Sequence, residues 1–261
     1  MAQHTPTVSK GRAESARPFA QQSPGRVIWE NVKGFAGVAI VFLLMRAFVM
    51  EAYRIPSGSM MPTLLVGDWL FVNKFIYGAH IPFTDAHLPA VHDPRRGDVV
   101  VFVSPYQADE AARGEDPTPT LVKRLRGLPG DTLYMRDAVL YINGVPQKEP
   151  FIRADPHASD GIDPLFEWQK RVGLTQSRFG SAPIQPTHDN WGPIVVPPGH
   201  MFMMGDNRYD SKDSRYWGFV PRNNVRGEPM FVYYSYNGDD SDRPLPFITD
   251  IRWSRIGHWI R

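Results

Sequence analysis

The sequence predicts a mainly β domain behind one N-terminal apolar helix. Three observations predict it. A single long apolar run lies near the N-terminus, at Gly34–Met50. Short β-branched and aromatic runs recur after it, separated by turn residues. Prolines number 25 in 261 residues, against a usual share of roughly 5%. Proline ends helices and sits at turns and strand edges, so a loop-rich β domain tolerates it better than a helix bundle.

Composition removes several classes. A formal net charge of +2 is too mild for a nucleic-acid protein, which needs a concentrated basic face. Hydrophobic residues at 42% and aromatics at 12% exclude wholesale disorder. Cysteine is absent, which removes disulfides, thiolate metal sites and a cysteine nucleophile. The length suits one sizeable domain plus an anchor, or two small domains.

Residues 1–33 are expected to form a disordered tail, polar and Pro/Gln/Ser-rich over its first 26 residues, with Lys10, Arg12, Arg17 and Arg26 set against Glu14. The apolar run then spans residues 34–53, with Val32 and Tyr53 as flanks. That length meets the ~20 residues a bilayer requires. Arg46 lies close enough to the outer end to snorkel toward headgroups. Three readings compete: a buried core helix, a cleaved signal peptide and a retained signal-anchor. A signal peptide would have a very long charged region before its apolar core, and no Ala-x-Ala-like site follows the run. The signal-anchor fits best. Basic residues before it, Lys33 included, place the N-terminus in the cytoplasm. Residues 54–261, which hold no second run of comparable length, would then lie across the membrane.

Strands are predicted at Trp69–Asn73, Asp98–Val103, Thr132–Arg136, Ala138–Ile142, Met201–Met204 and Met230–Tyr236. A tight turn at Arg136–Asp137 joins two of them, and Asn143-Gly144 marks a type I′ hairpin turn. Residues 104–119 and 148–190 interrupt the pattern and are expected as surface insertions, with a short helix at Phe166–Gly173.

Three segments carry chemistry. In the first, Ile55-Pro-Ser57-Gly-Ser59-Met-Met-Pro-Thr-Leu64, two serines flank a glycine between stiffening prolines. A nucleophilic serine needs a fixed, exposed hydroxyl and a nearby donor for an oxyanion. A Pro/Ser/Gly loop is as a rule only a loop, so the segment decides nothing alone. In the second, Val122-Lys123-Arg124-Leu-Arg-Gly-Leu-Pro-Gly-Asp131, a lysine lies in an apolar strand. Burial disfavours the ammonium and lowers a pKa that is ordinarily ~10.4, which would make Lys123 a usable base. The bland alternative is a solvated surface strand. The third, Gly205-Asp-Asn-Arg-Tyr-Asp-Ser211-Lys-Asp213-Ser-Arg215-Tyr-Trp-Gly218, is dense in hydrogen-bonding groups and lets Asp213 pair with Arg215. Its acids lack the EF-hand spacing for calcium, and no metal site is expected. The eight histidines form no His-Glu-x-x-His motif. No Gly-x-Ser-x-Gly elbow supports a serine–histidine triad.

Together with Arg96-Gly-Asp-Val-Val-Val-Phe102, these segments occur in one order that resembles the bacterial type I signal peptidases, membrane-bound serine peptidases with a Ser/Lys dyad. The likeness covers roughly residues 34–147 and 192–227, with residues 104–119 unmatched inside it. It implies a β-rich catalytic domain with a smaller β extension. It implies Ser59 as nucleophile, Lys123 as general base, and the Ser59 N–H with the Ser57 hydroxyl as oxyanion hole. Ser211 would orient the lysine, Asp213 and Arg215 would form a supporting ion pair, and Asp206 would pair with Arg124. Tyr53, Ile55, Met60, Leu64 and Val122 match apolar substrate-pocket positions. The implied reaction removes signal peptides from exported preproteins after small residues of the Ala-x-Ala type, without cofactor or metal. The implied partners are preproteins and membrane lipid, not nucleic acid. The implied location is the bacterial cytoplasmic (inner) membrane, spanned once, with the catalytic domain periplasmic. A narrower Ser/Lys peptidase with one substrate is the enzyme alternative. A catalytically dead tethered binding module is the alternative from another class, and the intact Ser57, Ser59, Lys123 and Ser211 set speaks against it. The Trp/Arg-rich end, Arg252–Arg261, is expected as an ordinary final strand, with contact at the membrane interface as the competing reading.

Overall fold

Proline fits the first turn of a helix because its fixed φ is already helical, and Pro24 opens α1 (Pro24–Leu44) in the computed structural model of the chain. The structure describes residues 24–82, 84, 86–153, 159–238 and 241–261. A π-turn, Met45–Val49, continues α1. Ile28–Val49 gives 22 residues of mean hydropathy 2.0, long and apolar enough by length and composition to cross a membrane. The apolar helix therefore starts earlier than Gly34, because Ile28, Trp29 and Val32 extend the apolar surface. It also ends earlier. Met50 to Tyr53, expected as helix, belong to a strand whose backbone groups pair with a neighbour. The expected disordered tail is helical over residues 24–33, and its earlier part lies outside the described residues.

Residues from Leu44 onward form a second compact unit, mainly β. Its elements in order are β1 (Met50–Arg54), β2 (Asp68–Asn73), β3 (Val99–Val103), α2 (Ala108–Ala112), β4 (Thr120–Gly127), β5 (Thr132–Arg136), β6 (Val139–Ile142), β7 (Val145–Pro146), α3 (Glu167–Val172), β8 (Trp191–Val195), β9 (His200–Met204), α4 (Ser214–Trp217), β10 (Val220–Pro221) and β11 (Val225–Ser235). One sheet runs β1-β2-β11-β3-β4-β9-β10, and a smaller one runs β7-β6-β5-β8. Neighbouring strands pair antiparallel throughout both sheets.

The alternation of β2 explains its place. Leu70 and Val72 point into a core with Val99, Val101, Val232 and the loop residues Ile55, Met60 and Leu64. The smaller sheet packs Leu133, Met135, Leu140 and Ile142 against Trp191, Phe202 and Met204. Its β5–β6 turn centres on Asp137 (φ 48°) and Ala138 (φ 63°), one residue later than expected. Arg136 stays in the ladder opposite Val139. Asn143 (φ 53°) and Gly144 (φ 87°) form the other turn where the sequence predicts it.

Strands β1, β7, β8 and β10 are not among those the sequence predicts. Strand β11 begins at Val225 rather than Met230, since Gly227 and Pro229 disguise it and two register shifts bend it. The two insertions are not merely superficial. Residues 104–119 carry α2, and residues 148–190 carry α3 and bury Phe166, Gln169 and His188. The C-terminal end is no regular strand. It is a short 3₁₀ turn at Trp253–Arg255 with isolated bridges Tyr236–Ile251 and Phe231–Trp259.

Candidate active site

Ser59 sits in a 3₁₀ turn, Gly58–Met60, just after β1 and its short connection. Two bonds from one side chain and its backbone fix that turn: Asn207 N donates to the Ser59 carbonyl at 3.1 Å, and Asn207 Nδ2 donates to the Gly58 carbonyl at 3.1 Å. Met60 and Leu64 anchor the turn from below, fully buried in the core. The turn is thus held from the loop side and from the core side, and it sets the direction of the Ser59 side chain.

That direction is Lys123. Strand β4 holds Lys123 between β3 and β9, opposite Val100. Lys123 Nζ and Ser59 Oγ are hydrogen-bonded at 2.6 Å. Burial drives the Lys123 pKa down to about 8, with Asp213 opposing the change and Arg215 adding to it. A lysine at that pKa is largely neutral in mildly alkaline solution, and its lone pair is free to accept the serine proton.

Two hollows meet at this pair. A pocket of about 60 Å³ is lined by Tyr53, Ile55, Ser57, Ser59, Val122 and Lys123 among others. Of the five residues expected there, Tyr53, Ile55 and Val122 line it; Met60 and Leu64 lie beneath in the core. Leu70, Val101 and Leu121 also line it. Strand pairing brings them there, and no local motif marks them. An open cleft of about 530 Å³ lies on the other side, again touching Ser57, Ser59 and Lys123 and reaching Ser211. Its far wall includes α2, where Lys212 pairs with Glu110 at 2.7 Å and with Asp109.

The loop after β9 supplies the polar support. Ser211 Oγ donates to Asp213 Oδ2 at 3.0 Å, rather than to Lys123. Asp213 caps α4 by accepting from Arg215 N at 3.2 Å and also accepts from Gly205 N at 3.0 Å. Arg215 grips the same carboxylate through Nε at 2.9 Å and Nη2 at 2.8 Å. Both side chains are wholly buried. Burial alone would raise the Asp213 pKa, but the Arg215 guanidinium holds it below the usual carboxylate range. Arg124 pairs bidentately with Asp206 at 2.8 and 2.7 Å, and Thr63 Oγ1 donates to the same acid at 2.5 Å. The structure therefore brings Ser57, Ser59, Lys123 and Ser211 to one cleft. Two further residues are placed here by the fold: Asn207, which the sequence marks only as part of the Gly-Asp-Asn-Arg run, and His188, which lies in the 148–190 insertion outside the motifs.

The arrangement can support acyl transfer by a serine with a lysine base. The profile of the family described as "Signal peptidase, peptidase S26" matches residues 28–234. The chain belongs to the signal peptidase S26 family. Among individual signal peptidases, the "Signal peptidase I" of Pseudomonas fluorescens is 37% identical over 247 residues, covering 87% of this chain and 78% of that protein. That of Pseudomonas aeruginosa is 36% identical over 244 residues with the same coverage. That of Buchnera aphidicola is 31% identical over 266 residues, covering 87% and 81%. The family match takes in Ser59, Lys123 and the whole Gly205–Gly218 loop, and the apolar helix at its start fits a membrane-anchored signal peptidase.

Proposed function

We propose that the protein is a signal peptidase I that cuts N-terminal signal peptides from exported preproteins after small residues, with Ser59 as nucleophile and Lys123 as general base. The observation that carries this is the 2.6 Å contact between a buried lysine of depressed pKa and a serine in a rigid turn. Neutral Lys123 accepts the Ser59 proton as Oγ attacks the scissile carbonyl. The Ser59 N–H and the exposed Ser57 hydroxyl stabilise the oxyanion. Collapse expels the new N-terminus of the mature protein as an amine, protonated by Lys123, and leaves the signal peptide as an ester on Ser59. Lys123 then takes a proton from water, and hydroxide releases the signal peptide as a carboxylate. No metal or cofactor enters these steps.

A small apolar hollow at the nucleophile admits an alanine methyl and rejects larger groups by overlap. An extended substrate lying beside the sheet would alternate its side chains between pocket and solvent, which suits a requirement for small residues one and three positions before the cut. Signal peptides arrive in a membrane. The apolar helix would hold the enzyme at the bacterial inner membrane, N-terminus cytoplasmic and catalytic domain periplasmic, and so raise the effective substrate concentration.

The test is cleavage of an exported preprotein whose signal ends in Ala-x-Ala, in detergent, by wild type, Ser59→Ala and Lys123→Ala. Wild type cuts after the second Ala, and each variant loses ~10⁴-fold or more in kcat while keeping its fold. Activity retained by Lys123→Ala removes the dyad. No cleavage by folded wild type removes the substrate assignment.

A further inference from the structure

His188 lies in the 148–190 segment, outside the motifs that carry the resemblance, yet it is 6% exposed and touches the catalytic support directly. Its Nε2 lies 2.6 Å from Arg215 Nη1. Its Nδ1 lies 2.8 Å from Asp189 Oδ1. Nε2 also lies 2.8 Å from the Arg208 carbonyl oxygen, but the shorter approach is the guanidinium donor at 2.6 Å, so with a carboxylate on Nδ1 the ring proton belongs there and the Nε2 lone pair faces Arg215. Tyr209 stacks on the ring at 4.4 Å and donates its hydroxyl to Asp189 at 2.9 Å. Asp160 ties the loop from behind, accepting from Asp189 N, Thr187 Oγ1 and Asn190 Nδ2 at 2.8, 2.8 and 3.0 Å. This loop is built to aim one nitrogen at Arg215.

We propose that His188 is a positioning residue for the Ser59–Lys123 site: it holds Arg215, Arg215 holds Asp213, and Asp213 fixes the Ser211 hydroxyl in the cleft that contains Lys123. The inference rests on the Ser/Lys reading and extends it to a segment with no assigned role. Each link is a named bond. Arg215 has its Nε and Nη2 on Asp213 and its Nη1 on His188, and Nη2 also donates to the Arg208 carbonyl at 2.6 Å. Removing the Nε2 acceptor leaves a buried guanidinium N–H unpaired, which costs enough to tilt the whole fork.

The neutral form of His188 is the one that serves. Charged and titratable groups facing the ring are Asp189 and Asp160 on its own segment, Tyr209 and Arg208 on the loop after β9, Arg215 at α4, and Arg153 across a small cavity. Burial first and Arg215 second lower the His188 pKa, outweighing Asp189. Around Lys123 the charges are Asp213, Arg215, Asp206 and Asp210. A loosened Arg215 leaves Asp213 less compensated, and an uncompensated carboxylate raises the Lys123 pKa.

Two substitutions separate positioning from packing. His188→Gln keeps an acceptor where Nε2 stands. His188→Asn keeps the donor to Asp189 and removes the acceptor. Cleavage of a signal-peptide substrate is measured against pH for both variants beside wild type and Lys123→Ala, with thermal melts. Expected is near wild-type behaviour for Gln, within about threefold. For Asn, kcat falls ~10-fold or more at a KM within about twofold, and the acid limb of the profile moves to higher pH. The proposal is overturned if both variants match wild type, if both lose activity equally with the acid limb unmoved, or if neither folds. Failure of the underlying dyad is distinct: Lys123→Ala would then cleave like wild type.

Discussion

At the scale of single residues, burial changes what a side chain can do. A lysine in water is a cation and no base at neutral pH. Lys123 is buried by β3, β4 and the Ser59 turn, and that is enough to bring its pKa to about 8. Burial is the largest influence: Asp213, Asp206 and Asp210 oppose it and Arg215 adds to it, and the lysine still ends below its ordinary pKa. Asp213 and Asp206 are themselves paired, with Arg215 and Arg124. Ser57 is exposed at the meeting point of pocket and cleft. If its hydroxyl donates to the oxyanion, Ser57→Ala lowers kcat by ~10²–10³-fold with KM little changed, as steady-state kinetics on a peptide substrate would read.

At the scale of elements, the site is a junction of a turn, a strand and a loop, and a glycine lets them close. A Cβ at Gly205, at the end of β9, would fall 2.1 Å from Ser211 Oγ and 2.6 Å from the Ser59 carbonyl oxygen. Real atoms cannot approach so closely, so Gly205→Ala must push the serine turn and the Asp213 loop apart. Activity is expected to drop by ~10²-fold or more, with circular dichroism still showing a folded β domain; wild-type kinetics in this variant would contradict the packing described. The elements were unevenly legible. Runs such as Trp69–Asn73 alternate cleanly and were readable. Strand β1 was not, because Met50–Tyr53 continue an apolar run and only pairing with β2 makes them a strand. Strand β8 hid behind Gly192 and Pro193, which no strand pattern favours.

At the scale of the whole molecule, the division into an apolar helix and a β domain was legible from hydropathy and proline content, although the helix begins ten residues earlier, at Pro24 rather than Gly34. Ser59 and Lys123 stood out because each lies in a dense local motif, and the fold brings the two side chains to 2.6 Å. The pocket lining was legible only in part. Met60 and Leu64 look like pocket residues by position, but they serve as the floor that makes the serine turn rigid. Leu70, Val101 and Leu121 reach the pocket through sheet pairing across long sequence distances, and such pairing leaves no local signature. His188 illustrates the same limit: its partner Arg215 is 27 residues away in sequence.

The pH dependence of kcat/KM for a signal-peptide substrate tests the central claim most directly. If Lys123 is the base, the rate rises about tenfold per pH unit on the acid side, levels off above an apparent pKa near the value of about 8 that burial imposes, and shows no maximum in acid. A maximum near pH 5, or a profile flat between pH 6 and 9, would mean that some other group takes the Ser59 proton.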